Sequence, residues 1–306
     1  MNTQNLYHYT KTGAFLHDLQ KSYDLVIREK IPDMTQLPPS STTEHITFAQ
    51  LWYDMRPTGD IIARMTKAGS VLLILDALTS ASISSLVAAL PKDSDITIIN
   101  MWAWLTGIIN KHTVDAEDIW LMLPTMQVYE PLDAHHFLRI VTKSWHIYVR
   151  VAHDEIPEHL FAEQDPAIYE ADYISMQSFG YTGIGWTVIS SGSLLPYVSQ
   201  ALQYADTNNG KKYDLFVCTA YTTTISDALL HSIKHTGKLI VIHDQKDAIA
   251  LQQFIQTVLE KNWLTDIQVF YKQPQYATLT TIFAEYLHEL AWMGSENLAQ
   301  YLISLG

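Results

Sequence analysis

The sequence has one cysteine, Cys218, so no internal disulfide can form and a disulfide-stapled secreted scaffold is excluded. That economy fits a reducing cytoplasm. Glycine and proline are sparse, 12 and 11 in 306 residues, which excludes collagen-like and low-complexity chains. Basic residues are outnumbered, 19 Lys and Arg against 32 Asp and Glu, leaving a formal charge of −13. A broad nucleic-acid footprint is therefore not expected, and free anions are repelled unless a local pocket inverts the field. No apolar run is long enough to span a bilayer, and Met1 to Gln20 lacks the apolar stretch of a signal peptide. What the chain does have is 48% hydrophobic residues over a length typical of two domains. The composition predicts a soluble, acidic, cytoplasmic protein that binds neither nucleic acid nor membrane.

Short apolar runs alternate with helical segments. Val71–Leu75, Ile96–Ile99, Met126–Tyr129 and Ile147–Val151 read as strands, with helices over Ser80–Leu90, Ala116–Met122 and Asp133–Lys143. Residues 152–185 are acidic and contain Pro and Gly, which predicts a linker. The rhythm then resumes. Strands are expected at Trp186–Ile189, Asp214–Thr219, Lys238–Ile242 and Ile267–Phe270. The helices between them are Leu194–Ala205, Ser226–Lys234 and Ala248–Lys261, and a last one, Glu296–Ser304, is capped by Ser295. Continuous apolar strands with helical crossovers predict an α/β fold of two doubly wound domains, residues 1–151 and 186–306. No internal repeat is evident.

Motifs that name a reaction are missing. Gly180-Tyr-Thr-Gly183-Ile-Gly185 looks like a dinucleotide loop, but a strand follows it where a helix is required, so these read as turn glycines. Ser190-Ser-Gly-Ser193 lies between strand and helix, where amides can hold an anion, but it is read as a plain strand-to-helix turn. Among 13 histidines, no HExxH or comparable helical ligand spacing stands out, so no metal site is expected. Neither a GxSxG elbow nor a phosphate-cradling glycine loop is present.

Several segments nevertheless resemble the carboxyl-terminal half of transketolase-type thiamine diphosphate proteins. Glu117-Asp-Ile-Trp-Leu-Met122, Pro124 to Ala134 and Ile147-Tyr-Val-Arg150 are similar to that family's EDIALMR, PGMTVICPADA and VYIR runs. Thr187-Val-Ile-Ser-Ser-Gly192 and Ser232 to Ile242 resemble its TIIATG and AAKETGAIVTA. Glu285 to Leu305 resembles its closing helices. The resemblance implies a pyrimidine-binding-type domain followed by a transketolase carboxyl-terminal-type domain. It also implies a split member of the family, acting on ketose sugars or 2-oxo acids. Thiamine diphosphate and magnesium would be held only with a partner that supplies the GDG-bearing diphosphate domain. Assembly as a homodimer, or as a hetero-oligomer with such a subunit, follows.

The departures from the family pattern bear on chemistry. The family glutamate that protonates and deprotonates the aminopyrimidine falls on Gln50 in an ungapped alignment, and on Met55 when the loop before Val71 is shortened. A different register would offer Glu44. Glutamine cannot exchange a proton at neutral pH, and methionine can neither exchange one nor hydrogen-bond strongly. The aromatics that stack the pyrimidine are replaced by Leu72, Leu75 and Leu78. The acidic pair of the family's GEDG loop is missing from Gly107-Ile-Ile-Asn110, and Thr113, with His112 beside it, stands where the family has a substrate histidine. His112 and His153 are the expected polar contacts at the mouth of the site. Trp102, Trp104 and Trp120 flank the altered loop and are candidate interface residues. These losses predict relaxed or altered chemistry, and the alternative to a working subunit is a catalytically degenerate relative with a structural, assembly or regulatory role.

Overall fold

Strands that are apolar on both faces must be covered on both faces, and the chain meets this demand with two separate parallel sheets. The computed structural model describes residues 3–5, 23–30, 43–47, 67–75, 95–100, 126–142, 146–151, 155–157, 173–175, 185–210, 212–222, 224–243, 248–273 and 293–305. The chain divides into two compact units, Met1–Thr106 with Asn110–Ala162, and Gly107–Ile109 with Glu163–Gly306.

In the first unit a short strand β1 (Thr3–Asn5) pairs antiparallel with β8 (Glu155–Pro157). The main sheet comprises β2 (Leu25–Lys30), β3 (Thr43–Thr47), β4 (Ser70–Leu75), β5 (Asp95–Asn100), β6 (Gln127–Tyr129) and β7 (Ile147–Arg150). Its order is β3-β2-β4-β5-β7-β6, and every pairing is parallel. Val26, Val71, Leu72, Leu73, Ile98, Ile99, Ile147 and Val149 are fully buried. Each such side chain contributes about 1.5–3 kcal/mol of transfer free energy, which is why these runs occupy the middle of a sheet. Helix α1 (Ala134–Val141) starts where Asp133 Oδ1 accepts the His136 amide at 2.7 Å, and it buries Phe137, Ile140 and Val141. At the amino edge, Asp24 Oδ2 accepts the Gly69 and Ser70 amides at 2.9 Å each, and the Tyr23 hydroxyl meets Thr97 Oγ1 at 2.7 Å.

In the second unit β9 (Tyr173–Ser175), β10 (Trp186–Ser191), β11 (Tyr213–Cys218), β12 (Lys238–Ile242) and β13 (Gln268–Lys272) form a sheet ordered β13-β12-β10-β11-β9. All its pairings are parallel except the edge strand β9, which runs antiparallel to β11. A 3-10 turn, Gly192–Leu194, links β10 to helix α2 (Leu195–Asn209); α3 (Asp227–Thr236), α4 (Ala248–Lys261) and α5 (Ser295–Ser304) follow. Gly185 precedes β10 because a Cβ there would lie 2.8 Å from the Lys212 carbonyl oxygen, so the residue needs closeness rather than turn flexibility. Helices α2 and α3 end on Gly210 and Gly237, both at φ 65°, in left-handed caps, whereas the chain leaves α4 through Trp263 at φ 59°.

The α/β class and the doubly wound sheets agree with the sequence pattern. The span 152–185, read as a linker, contains β8 and β9, each of which joins a sheet. Ser295 does not cap α5: the cap residue is Gly294, and the Ser295 hydroxyl instead donates to Gln200 Oε1 at 2.7 Å. A hydroxyl placed one residue inside the helix is better satisfied across the α2–α5 seam. The helices expected at Ser80–Leu90 and Ala116–Met122 lie outside the described residues. Among the described residues, no helix is long and apolar enough to cross a membrane.

Candidate functional site

Ligands of parallel α/β sheets sit beyond the carboxyl ends of the strands, where loops leave and backbone groups are unpaired. In the first unit those ends are Leu75 of β4, Asn100 of β5, Tyr129 of β6 and Arg150 of β7, with Asn100 in register with both Leu75 and Arg150. This edge is polar although the strands feeding it are apolar. Arg150 Nη1 donates to Glu130 Oε1 at 3.1 Å, and the two side chains are only 1% and 3% exposed. Asn100 is 2% exposed; its Nδ2 donates to the Tyr148 hydroxyl at 2.8 Å, while its buried Oδ1 has no hydrogen-bond partner among the described residues. An acceptor in that position suits a donor from a bound molecule or water. In the first turn of α1, His136 Nδ1 accepts the Leu132 amide at 3.3 Å, an arrangement that assigns the ring proton to Nε2. The Tyr129 hydroxyl donates to Gln127 Oε1 at 2.6 Å.

The edge therefore offers one buried cation already neutralised by one carboxylate, one open carbonyl-type acceptor, and phenol and imidazole groups tied to the backbone or to neighbouring side chains. It can orient a polar molecule. The Glu130 carboxylate lies against Arg150, so it is held as an ion-pair partner rather than as a free base.

Of the residues expected to hold an aminopyrimidine, Leu75 closes β4 at this edge. Leu72 is in register with Val26 and Thr97, fully buried inside the sheet and three residues short of its end. It packs as core, and an aliphatic side chain there offers no ring to stack on an aminopyrimidine. Glu44 sits on the outermost strand β3, in register with Ile27, and is therefore two strands, about 10 Å, from β4. Gln50, Met55, Leu78, His112 and His153 lie outside the described residues, as do Trp102, Trp104 and Trp120.

Sequence reasoning passes over Asn100, Tyr148 and the Glu130–Arg150 pair as a group. The available signal is positional: Asn100 and Arg150 are polar residues that close the mainly apolar runs of β5 and β7, where the chain leaves the sheet. It also passes over a spacing on α3, His231-Ser-Ile-Lys-His235.

The second unit is polar in other places. Asp214 Oδ2 accepts the Ser232 hydroxyl at 2.7 Å, and Thr187 Oγ1 meets Ser232 Oγ at 2.7 Å and Thr236 Oγ1 at 2.9 Å. This chain of hydroxyls pins α3 to the beginnings of β10 and β11. At the carboxyl edge the His243 amide donates to the Lys272 carbonyl at 3.1 Å. Burial pushes the Lys272 amine below its usual range, and its Nζ lies 5.5 Å from the centre of the Tyr301 ring. Cys218 is buried, with its thiol toward the Ala220 carbonyl, as befits a structural rather than a reactive cysteine. A cleft of about 340 Å³ between α2 and α5 is lined by Gln200, Tyr204, Ser295, Glu296, Ala299 and Gln300. Among the described residues no three or more His, Cys, Asp or Glu side chains gather to hold a metal ion.

No family model matches the chain, and none of the curated proteins matches it in sequence. Solved structures do match in shape. A split-gene transketolase chain, described as an inactive beta4 tetramer, superposes with a TM-score of 0.68 at 15% identity, over 99% of both chains. A transketolase from Campylobacter jejuni superposes at 0.66 with 8% identity over 99% of this chain and 47% of that one. A transketolase from Pichia stipitis gives 0.66 and 8% over 99% and 46%. The protein thus has the fold of transketolases, spanning just under half of the Campylobacter and Pichia chains and nearly all of the split-gene one.

Proposed function

We propose that this chain is one subunit of a split transketolase-type assembly, contributing the pyrimidine-type and carboxyl-terminal-type domains and pairing with a chain that bears the diphosphate-binding domain. The observation that carries this reading is the end-to-end match with a split-gene transketolase chain, 99% of each. In such an assembly the substrate class is ketose sugars or 2-oxo acids, and thiamine diphosphate with magnesium would be gripped by the partner's half.

A second reading, a degenerate subunit kept for assembly or regulation, is favoured by Leu72. Family members place an aromatic there; this chain places a fully buried leucine in register with Thr97. Replacing a ring by a core aliphatic keeps the sheet packed while removing the stacking surface.

One experiment separates the two. The tagged protein is co-purified with its co-expressed GDG-bearing candidate partner, and thiamine diphosphate binding to the complex is followed by calorimetry. A stoichiometric complex that binds cofactor, with turnover that changes strongly in Gln50→Glu, supports the working subunit. A stoichiometric complex with no cofactor binding supports the degenerate subunit. Recovery of this chain alone, as a homo-oligomer, overturns the requirement for a partner.

A further inference from the structure

Helix α3 buries Leu229, Ser232 and Ile233 and turns Asp227, Ala228, His231, Lys234 and His235 outward, all exposed. Residues four apart lie one turn apart on the same side of a helix, so the two histidines project side by side. Their rings are parallel within 9°, with centroids 6.1 Å apart. We propose that His231 and His235 form a chelating site for a divalent transition-metal ion that favours imidazole nitrogen, such as Cu²⁺, Ni²⁺ or Zn²⁺.

Three features support the site. Two imidazoles one turn apart on a helix are a known geometry for sharing one ion, with nitrogen-to-metal distances of about 2.0–2.1 Å for zinc. Because both rings are exposed, small rotations about their side-chain bonds bring one nitrogen of each to the ion without repacking any core. The platform is also held at both ends and in the middle. Ser226 Oγ accepts the Leu229 amide at 3.3 Å, Gly237 closes the helix at φ 65°, and Ser232 ties the helix to Asp214 at 2.7 Å. Thr236 Oγ1 donates to the Lys238 carbonyl at 3.0 Å, so the last turn that carries His235 is fixed. A rigid platform loses little entropy when its ligands close on an ion.

The surrounding charges are mixed but permissive. Lys234 is three residues from His231 and repels a cation; Asp227, four residues before His231, attracts one, and the chain as a whole carries −13. Two protein ligands leave the remaining positions to water, so the ion is exchangeable and open to a further ligand. Magnesium and calcium prefer oxygen ligands and are not taken.

The test compares metal-free wild type with His231→Gln, His235→Gln and the double variant. Each is titrated with CuCl₂, NiCl₂, ZnCl₂ and MgCl₂ by calorimetry. Circular dichroism of the metal-free proteins checks that the exposed substitutions leave the fold unchanged. The difference between wild type and double variant isolates this pair from the other histidines. We expect wild type to bind one more equivalent than the double variant, tightest for Cu²⁺ and absent for Mg²⁺. Each single variant should weaken that step at least about tenfold, and the Cu²⁺ adduct should show two nitrogen couplings by electron paramagnetic resonance. Equal stoichiometry in wild type and double variant overturns the site. A single variant that binds as wild type also overturns it, since one imidazole would then suffice.

Discussion

The two units use the same parallel layering, but the side-chain network that ties each together lies at a different end of the strands. The second unit also buries Ser190, Ser191, His243 and Lys272 toward its carboxyl edge. In the first unit, charge and amide meet at the carboxyl edge, where Arg150 and Glu130 pair at 3.1 Å and Asn100 donates to Tyr148. In the second, the neutral hydroxyls of Thr187, Ser232 and Thr236 gather with Asp214 at the amino edge. A polar group at an amino edge fastens a returning helix, as Ser232 does for α3. A polar group at a carboxyl edge lies where loops and ligands arrive. The same kind of sheet thus carries a buried ion pair at one unit's carboxyl edge and a helix-fastening hydroxyl network at the other's amino edge.

The most severe break in this comparison is Glu130→Ala. It leaves the Arg150 guanidinium buried without that carboxylate, and we expect a loss of about 3–5 kcal/mol in urea unfolding. Replacing both residues by Met should recover much of this, because the charges rather than the volume set the cost. Ser232→Ala removes one donor to Asp214 and one contact of Thr187, and we expect about 1–3 kcal/mol by the same measurement. A Ser232→Ala loss equal to that of Glu130→Ala would erase the distinction between the ion-paired edge and the hydroxyl seam.

Smaller effects sharpen it. Where α2 and α3 exit through glycine, α4 exits through Trp263, which is left-handed and 89% exposed. Trp263→Gly should therefore stabilise the protein by about 0.5–1 kcal/mol, read from the thermal midpoint, because it relieves a left-handed side-chain clash and removes no packing. The smallest effect appears only in alkali. Burial raises the Tyr23, Tyr271 and Tyr301 hydroxyls above their usual 10.0; at Tyr23 the Thr97 hydrogen bond opposes this and the Asp95 charge adds to it. A raised folded value means that the folded state holds the proton. Their contribution is thus fully present below about pH 10 and lost as pH rises through the folded values. Ultraviolet titration of phenolate should show these three ionising above the usual tyrosine range, with stability falling in step.

Much of the fold was legible because its determinants are local. Lys238–Ile242 and Ala248–Lys261 were delimited by their own apolar pattern, and the α3 start by Ser226. β8 and β9 were not legible, since three residues carry no period and form strands only by pairing with distant partners. The candidate edge was legible in part. Arg150 could be seen closing an apolar run, but nothing in the sequence says that Glu130, twenty residues earlier, turns back to meet it.

By itself, then, the sequence determined the class of the fold, the alternation of its elements and the acidic balance of its surface, because each follows from periodicity and composition within a short window. Only the tertiary structure decided strand order, the antiparallel edge strand β9, the burial of the Arg150–Glu130 pair and the helical alignment of His231 with His235 in space. Those depend on which elements become neighbours, and neighbours are selected by the packing of the whole chain rather than by any segment of it.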